Sequence, residues 1–292
     1  MRTEQEMLDL IIGFAKGDER IRAVYMNGSR VNPTAPKDPY QDYDIVYVVK
    51  ETEPFLADRA WLSSFGNPLM IQEPDWNDIL LGLSNDQYDF SRRYAWLMLL
   101  DDGSRIDLSI IIKEEAAASV QSDSLTVLLL DKDAFLPSIP APSDVDYRVK
   151  KPSEGEYTAC CNEFWWCLNN VAKGIARDEL PYAMGMYNLY VRDMLNKMVE
   201  WHIGIQTDFL VSPGKMGKYF KRYLAPELYA MYQKTYSDSD YDALWTAVFT
   251  ACALFRMLAE QTAGHFGYAY NQKDDANMTR YLYMVKHDER TR

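Results

Sequence analysis

The chain has 292 residues, enough for one large domain or two modest domains with a well-filled core. Hydrophobic residues make up 48%, and no uninterrupted apolar run approaches the roughly 18 residues of a membrane span, so we expect no membrane partner. The formal net charge of −12 argues against a general nucleic-acid binder and favours a polycationic partner. Because the N-terminus lacks a signal-peptide pattern, we expect a cytoplasmic protein.

The first half of the chain mixes helical and strand-like patterns. Apolar residues at helical spacing predict helices over residues 3–16, 54–65 and 114–121. Alternating or continuous apolar runs predict strands over residues 21–26, 43–49, 69–72, 94–100 and 105–112. The last two strands flank an Asp-Gly pair that is typical of a hairpin turn. Together these elements predict a small mixed β-sheet with helices packed on it.

The second half of the chain is dominated by helical spacing. A Pro-rich segment precedes it and indicates a linker over residues 136–150. Helical periodicity then covers residues 154–175, 180–202, 214–224 and 241–262. We therefore predict the α+β class, with an N-terminal sheet domain over residues 1–135, the linker, and a C-terminal helical domain over residues 151–292.

Three aspartates near two predicted strands are candidate metal ligands. Asp42 and Asp44 are two residues apart on one strand, so their side chains project to the same face. Asp107 faces away from the alternating apolar row of its own strand. If the two strands are neighbours, three carboxylates converge, and such oxygen ligands suit Mg²⁺ and leave room for substrate phosphates.

A Gly-Ser turn precedes this acidic pair. Gly28 allows close approach of the backbone to a phosphate, and Ser29 can offer its hydroxyl beside backbone amides at the start of a short helix. Taken singly, Gly-Ser is ordinary turn chemistry, and Asp-x-Asp arises by chance in a chain with 43 acidic residues. The twelve-residue gap between Ser29 and Asp42, with strands beside both motifs, favours a functional pair.

This combination resembles the nucleotidyltransferase superfamily, and longer stretches resemble one family within it. The bacterial aminoglycoside 6-adenylyltransferases, which modify streptomycin, are similar at residues 21–33, 41–49, 160–167, 171–174 and 212–219. The resemblance implies a nucleotidyltransferase catalytic domain followed by a helical domain that binds substrate and nucleotide. It also implies transfer of AMP from ATP to an aminoglycoside hydroxyl, foremost the 6-hydroxyl of streptomycin, with release of pyrophosphate and resulting antibiotic resistance.

The three aspartates have distinct roles in such a reaction. Asp42 and Asp44 would hold one or two Mg²⁺ ions that bridge the triphosphate. Asp107 would either complete a second metal site or accept the proton of the drug hydroxyl as general base, and we favour the base. The sequence does not separate these two roles.

Four basic residues are candidates for the nucleotide phosphates. The matching stretch after Gly28 and Ser29 includes Arg30, which we add to the nucleotide-binding set. The resemblance places Lys173 near the leaving pyrophosphate. Lys215 and Lys218 flank a glycine at a predicted helix start, where amide donors and ammonium groups could hold the β- and γ-phosphates. Ordinary surface lysines are the alternative interpretation for all three.

Two residues of an aromatic-rich helix are candidates for binding the drug. Glu163 could pair with a substrate guanidinium, and Trp165 could line an interdomain cleft or pack in the helical core. Two rival functions stay open at this point. One is nucleotidyl transfer to another small molecule or to a protein, and the other is nucleotide binding without catalysis. The sequence leaves the oligomeric state open.

Overall fold

The protein contains two compact units. A computed structural model describes residues 1–83 and 88–288, and the chain separates into unit 1, Met1–Asp146, and unit 2, Tyr147–Arg292. Unit 1 contains the whole of a six-stranded sheet, and the described part of unit 2 contains helices and turns only. The α+β class predicted from the sequence is confirmed.

The sheet of unit 1 is mixed. Its strands are β1 Ile21–Asn27, β2 Tyr43–Val49, β3 Pro68–Gln72, β4 Arg93–Leu100, β5 Arg105–Ile112 and β6 Thr126–Asp131. They are ordered β3-β4-β5-β2-β1-β6, with β2 and β5 parallel and all other neighbours antiparallel. The central parallel pair, β2 and β5, positions the candidate site, because it places the start of β2 beside the start of β5.

Helices cover both faces of this sheet. The helices of unit 1 are α1 Glu4–Gly17, α2 Glu53–Ala57, α3 Pro74–Leu80 and α4 Lys113–Val120, with a 3₁₀ helix at Ala60–Phe65. The larger apolar cluster includes Met7 and Ile11 of α1. The N-terminus of α1 has a capping box, in which the side chains of Thr3 and Glu6 each accept a hydrogen bond from the other's backbone amide.

The second face carries a smaller cluster. Ala116 and Val120 of α4 pack there with Val48 and Ile111, which lie towards the ends of β2 and β5. Side chains at the starts of these two strands on the same face lie outside that cluster. Asp44 and Asp107, near the starts of β2 and β5 on this face, are therefore left outside the apolar cluster.

Unit 2 is a helical bundle. Its helices are α5 Glu154–Ala176, α6 Leu180–Met186, α7 Arg192–Gln206, α8 Phe220–Tyr223, α9 Pro226–Gln233, α10 Tyr241–Phe266 and α11 Gln272–Lys286. A π-helical turn at Tyr187–Val191 joins α6 to α7. By length and composition α10 could cross a membrane, but 56% of its apolar window is buried inside the protein, as expected for a core helix.

Several sequence predictions require correction. The helix predicted over residues 54–65 is α2 plus a 3₁₀ helix. The helix predicted over residues 214–224 is interrupted, because Gly214, Met216 and Gly217 have φ angles of 72°, 58° and 73°. Only the 3₁₀ turn Lys215–Gly217 and the four-residue α8 form there. The sequence patterns also missed β6, α3, α9 and α11.

Candidate active site

The acidic residues of β2 and β5 lie side by side. In the parallel register Asp44 is directly opposite Asp107, and Asp42 precedes β2 by one residue. Both strands present their aspartate on the face opposite the apolar row that packs on α1. The condition set by the sequence, that these two strands be neighbours, is therefore met.

Arg105, at the first position of β5, is the cation nearest these carboxylates. Its guanidinium donates two hydrogen bonds to Asp107, from Nε to Oδ1 at 2.7 Å and from one terminal nitrogen to Oδ2 at 2.8 Å. Its other terminal nitrogen lies 3.6 Å from Oδ2 of Asp42. This fork geometry fixes the orientation of the Asp107 carboxylate and holds positive charge among the aspartates.

Asp44 is the aspartate whose ionisation is most perturbed. Burial, followed by the negative charges of Asp107 and Asp42, raises the pKa of Asp44 from 3.8 to about 6, although Arg105 acts in the opposite direction. The charge of Arg105 therefore does not offset desolvation and like-charge repulsion. Because the negative charge of these carboxylates is not fully compensated, binding of a further cation at the cluster is favourable.

Gly28 lies beside Asp44 at a position where a larger residue would collide with the Asp44 carboxylate. It has a φ of 81°, follows directly on β1, and donates its backbone amide to the carbonyl of Leu125 at 3.1 Å. Asn27, just before it, pairs with Asp44 across β1 and β2. A Cβ at position 28 would lie 2.9 Å from Cγ of Asp44, so a side chain there would crowd the carboxylate.

The donor set suits Mg²⁺ by its chemistry. Carboxylate oxygens are the ligands that hard divalent cations take, and Asp44 is destabilised by the charges that such an ion would neutralise. Among residues 1–83 and 88–288, no three His, Cys, Asp or Glu side chains already stand close enough together to hold a metal ion. At this cluster, the guanidinium of Arg105 contacts two of the three carboxylates.

The segment after Gly28 is a turn and not the short helix predicted from the sequence. Its backbone closes with a bond from the amide of Asn32 to the carbonyl of Ser29 at 3.3 Å. Arg30 is buried, its guanidinium lies 3.7 Å from the centre of the Tyr43 ring, and one terminal nitrogen donates to the carbonyl of Gln41 at 2.7 Å. These contacts favour a structural role for Arg30 in holding the loop, and its predicted contact with the nucleotide stays a prediction.

The three candidate lysines belong to unit 2 and are exposed. Lys173 lies in the last turn of α5, and Lys215 and Lys218 border the interrupted turn described above. The helix start predicted at Lys215 is therefore wrong, because left-handed residues prevent a regular helix there. Phosphate binding by these lysines stays a prediction, and for Lys215 and Lys218 the expected amide donors of a helix start no longer support it.

The two candidate drug-binding residues have different surroundings. Glu163 is half-buried on α5, and its Oε1 accepts a hydrogen bond from the thiol of Cys167 at 3.2 Å. Trp165 is buried, packs edge-on against Phe255, and donates its indole N–H to the Tyr270 hydroxyl at 3.1 Å. These contacts favour the packing alternative for Trp165, whereas Glu163 borders a cavity in unit 2.

Sequence reasoning missed Arg105. The available signal was its position two residues before Asp107, because residues at that spacing share a face of a strand. An arginine on the polar row of an otherwise apolar strand needs an anionic neighbour, and Asp107 supplies it.

The fold and the site together define a class of enzyme, and comparison with known proteins defines the family. A mixed sheet that brings strand aspartates together beside a Gly-Ser turn is the arrangement expected of a nucleotidyltransferase. Residues 1–285 match the streptomycin adenylyltransferase family. The chain therefore belongs to the streptomycin adenylyltransferase family and is an adenylyltransferase enzyme.

Individual relatives match over nearly their whole length. An aminoglycoside 6-adenylyltransferase from Bacillus subtilis (strain 168) is 37% identical over 282 residues, covering 96% of this chain and 97% of that protein. One from Campylobacter jejuni is 36% identical over 275 residues, covering 94% and 93% respectively. A crystal structure of an aminoglycoside 6-adenyltransferase from Bacillus subtilis aligns with 99% of this chain and 100% of its own, at 33% identity and a TM-score of 0.48.

Proposed function

We propose that this enzyme transfers AMP from ATP to the 6-hydroxyl of streptomycin, releases pyrophosphate, and thereby confers resistance to the drug in the cytoplasm. The observation that carries the chemistry is the parallel pairing of Asp44 with Asp107 beside Gly28. The choice of substrate is supported by relatives of at least 36% identity that are named aminoglycoside 6-adenylyltransferases. The net charge of −12 agrees with a polycationic substrate.

Asp42 and Asp44 are the residues that would hold Mg²⁺. When bound, Mg²⁺ would neutralise triphosphate charge and make the α-phosphorus more electrophilic. Asp44 contributes a partly buried carboxylate at the start of β2, and Asp42 contributes a more exposed one beside it. Gly28 keeps the space next to Asp44 open for the triphosphate, because any larger residue would place a Cβ there.

Asp107 is the residue we assign to the drug hydroxyl. Its carboxylate accepts the hydroxyl proton as the oxygen attacks the α-phosphorus, and the bond to pyrophosphate breaks in the same displacement. The bidentate hydrogen bonds from Arg105 set the orientation of this carboxylate. Service as a second metal ligand is the other role for Asp107, and the affinity of an Asp107→Asn variant for ATP with Mg²⁺ separates the two roles.

The triphosphate would be held by both main-chain and basic groups. The Gly28-Ser29 turn offers a backbone that a phosphate can approach closely, together with the Ser29 hydroxyl. Lys173, Lys215 and Lys218 would supply positive charge to the leaving pyrophosphate. All three ammonium groups are exposed, so they are accessible to a ligand.

A pyrophosphate-release assay tests this function. Release should require streptomycin, ATP and Mg²⁺ together, and Asp42→Asn should reduce it by roughly 100-fold or more because a charged metal ligand is lost. Asp9→Asn on α1 is the matched control, since it removes the same charge from an exposed site away from the cluster. Release without drug, or near-normal release by Asp42→Asn, would contradict the proposal.

A further inference from the structure

Unit 2 contains a cavity of about 670 Å³ that borders α5 and α7. Its α5 wall includes Cys160 and Glu163, and its α7 wall includes Met194, Glu200 and Trp201. The spacing of these residues follows the helical period, so each helix turns one continuous stripe towards the cavity. The cavity is also lined by the segment over residues 147–152, by Glu156, Ala159 and Lys197 of the two helices, and by Pro213.

This cavity has a defined framework. The amide of Val149 donates to the carbonyl of Val211 at 3.1 Å, which ties the lining segment to the chain beyond α7. The thiol of Cys160 donates to the carbonyl of Met194 at 3.4 Å and links α5 to the start of α7. The walls are therefore fixed by bonds between separate segments, as in a pre-formed ligand site.

The charged residues that line the cavity differ in burial. Glu163 and Glu200 on the two helices and Arg148 on the 147–152 segment are half-buried, whereas Glu156, Lys150, Lys151 and Lys197 are exposed. Glu200 makes no hydrogen bond within the described parts of the chain, and burial raises its pKa. Because Glu200 is only half-buried, its carboxylate is accessible from the cavity and can accept hydrogen bonds from a ligand.

The chemistry of the wall selects a planar cation. A guanidinium presents paired donors that match a carboxylate and a flat face that stacks on an aromatic ring, and Trp201 supplies a half-buried indole here. On the walls formed by α5 and α7 the half-buried charged side chains are both carboxylates, so a phosphate placed against these walls would meet charge of its own sign. We propose that this cavity binds a guanidinium group of streptomycin, with Glu163 and Glu200 accepting its hydrogen bonds and Trp201 packing on its face.

This assignment rests on the proposed function and adds the site that recognises the drug. The test is calorimetric titration of the full chain with streptomycin, without ATP or Mg²⁺. Glu163→Gln and Glu200→Gln should each raise the Kd for streptomycin by roughly 10- to 100-fold, because each removes a charge-assisted hydrogen bond. Glu260→Gln, an exposed carboxylate of α10 outside this cavity, removes the same charge and should leave the Kd within about twofold.

Additional measurements separate recognition from misfolding. All three variants should keep the melting temperature and the ATP affinity of the unmodified protein, and Trp201→Leu should also weaken streptomycin binding. Unchanged streptomycin affinity in both glutamate variants would overturn the cavity assignment, even if the unmodified protein adenylylates the drug. Loss of ATP affinity with drug affinity retained would also overturn it, because the cavity would then belong to the nucleotide. Failure of the unmodified protein to adenylylate any aminoglycoside would instead refute the proposed function.

Discussion

Replacing Asp44 by Asn should stabilise the protein while abolishing its activity. The folded-state pKa of Asp44 is about 6, above its ordinary value of 3.8, so the folded protein holds this proton more tightly than the unfolded chain does. Ionised Asp44 therefore opposes folding. The destabilisation is absent below the unfolded pKa, grows as pH rises between the two values, and is complete above the folded pKa.

The size of this effect follows from the pKa difference. A rise from 3.8 to about 6 corresponds to about 3 kcal/mol of unfavourable free energy at neutral and alkaline pH. Screening of this partly exposed group by solvent reduces the expected gain in Asp44→Asn to roughly 1–2 kcal/mol. For a domain of this size the gain corresponds to a rise of roughly 3–6 °C in melting temperature.

Scanning calorimetry at about pH 8 and about pH 5 would measure this effect. Asp44→Asn should melt higher than the unmodified protein at pH 8, and the difference should shrink by about half at pH 5. Mg²⁺ should raise the melting temperature of the unmodified protein more than that of the variant, because the ion binds the charged cluster. A variant that melts at or below the unmodified protein at pH 8 would refute the interpretation that repulsion and burial strain this cluster.

Three further outcomes follow from the site. Asp107→Asn should bind ATP with Mg²⁺ normally but lose turnover by roughly 100-fold or more, because an amide cannot accept the hydroxyl proton; ATP affinity as weak as in Asp42→Asn would identify Asp107 as a metal ligand. Gly28→Ala should lower stability by about 1–2 kcal/mol, from its positive φ, and impair ATP use, because its Cβ would crowd the neighbouring carboxylate. Normal ATP kinetics in that variant would argue against a phosphate cradle there. Lys173→Ala and Lys218→Ala should raise the KM for ATP more than the Kd for streptomycin, and the reverse pattern would move these lysines to the drug.

The central strands could be predicted because their patterns are strong and local. β2 and β5 were predicted with the bounds that the structure shows, since each is a run of β-branched or alternating apolar residues. The convergence of Asp44 and Asp107 was predicted only conditionally. Parallel pairing joins residues far apart in sequence, and no local pattern specifies which strands become neighbours.

The features that the sequence analysis did not predict have identifiable physical causes. β6 is an edge strand whose residues after Thr126 are mostly half-exposed, so it lacks the strong alternation of a strand with one buried face. The interruption at residues 214–217 depends on Met216 adopting a left-handed conformation, which its residue type does not favour. The contact of Arg105 with Asp107 could have been inferred from their spacing, but the approach of Arg105 to Asp42, the residue just before β2, depends on the pairing of β2 with β5.

For the two drug-binding candidates, Glu163 and Trp165, the sequence predicted the helix but not the contacts of each side chain. Helical spacing placed Glu163 and Trp165 on α5, but it did not show which of the two faces a cavity. The indole N–H of Trp165 donates a hydrogen bond to the Tyr270 hydroxyl. Glu163, in contrast, faces the same cavity as Glu200, which lies on another helix. The partner of each residue comes from a distant segment, which the sequence pattern of one helix cannot identify.

Mass spectrometry of streptomycin after incubation with the protein, ATP and Mg²⁺ tests the central claim most directly. The drug should gain the mass of one AMP group, pyrophosphate should appear in equal amount, and magnetic resonance of the product should place the new phosphoester at the 6-hydroxyl. The adduct should be absent when Mg²⁺ is omitted or when Asp42 is replaced by Asn. Unmodified streptomycin after complete incubation, or an AMP group on a different hydroxyl, would contradict the account.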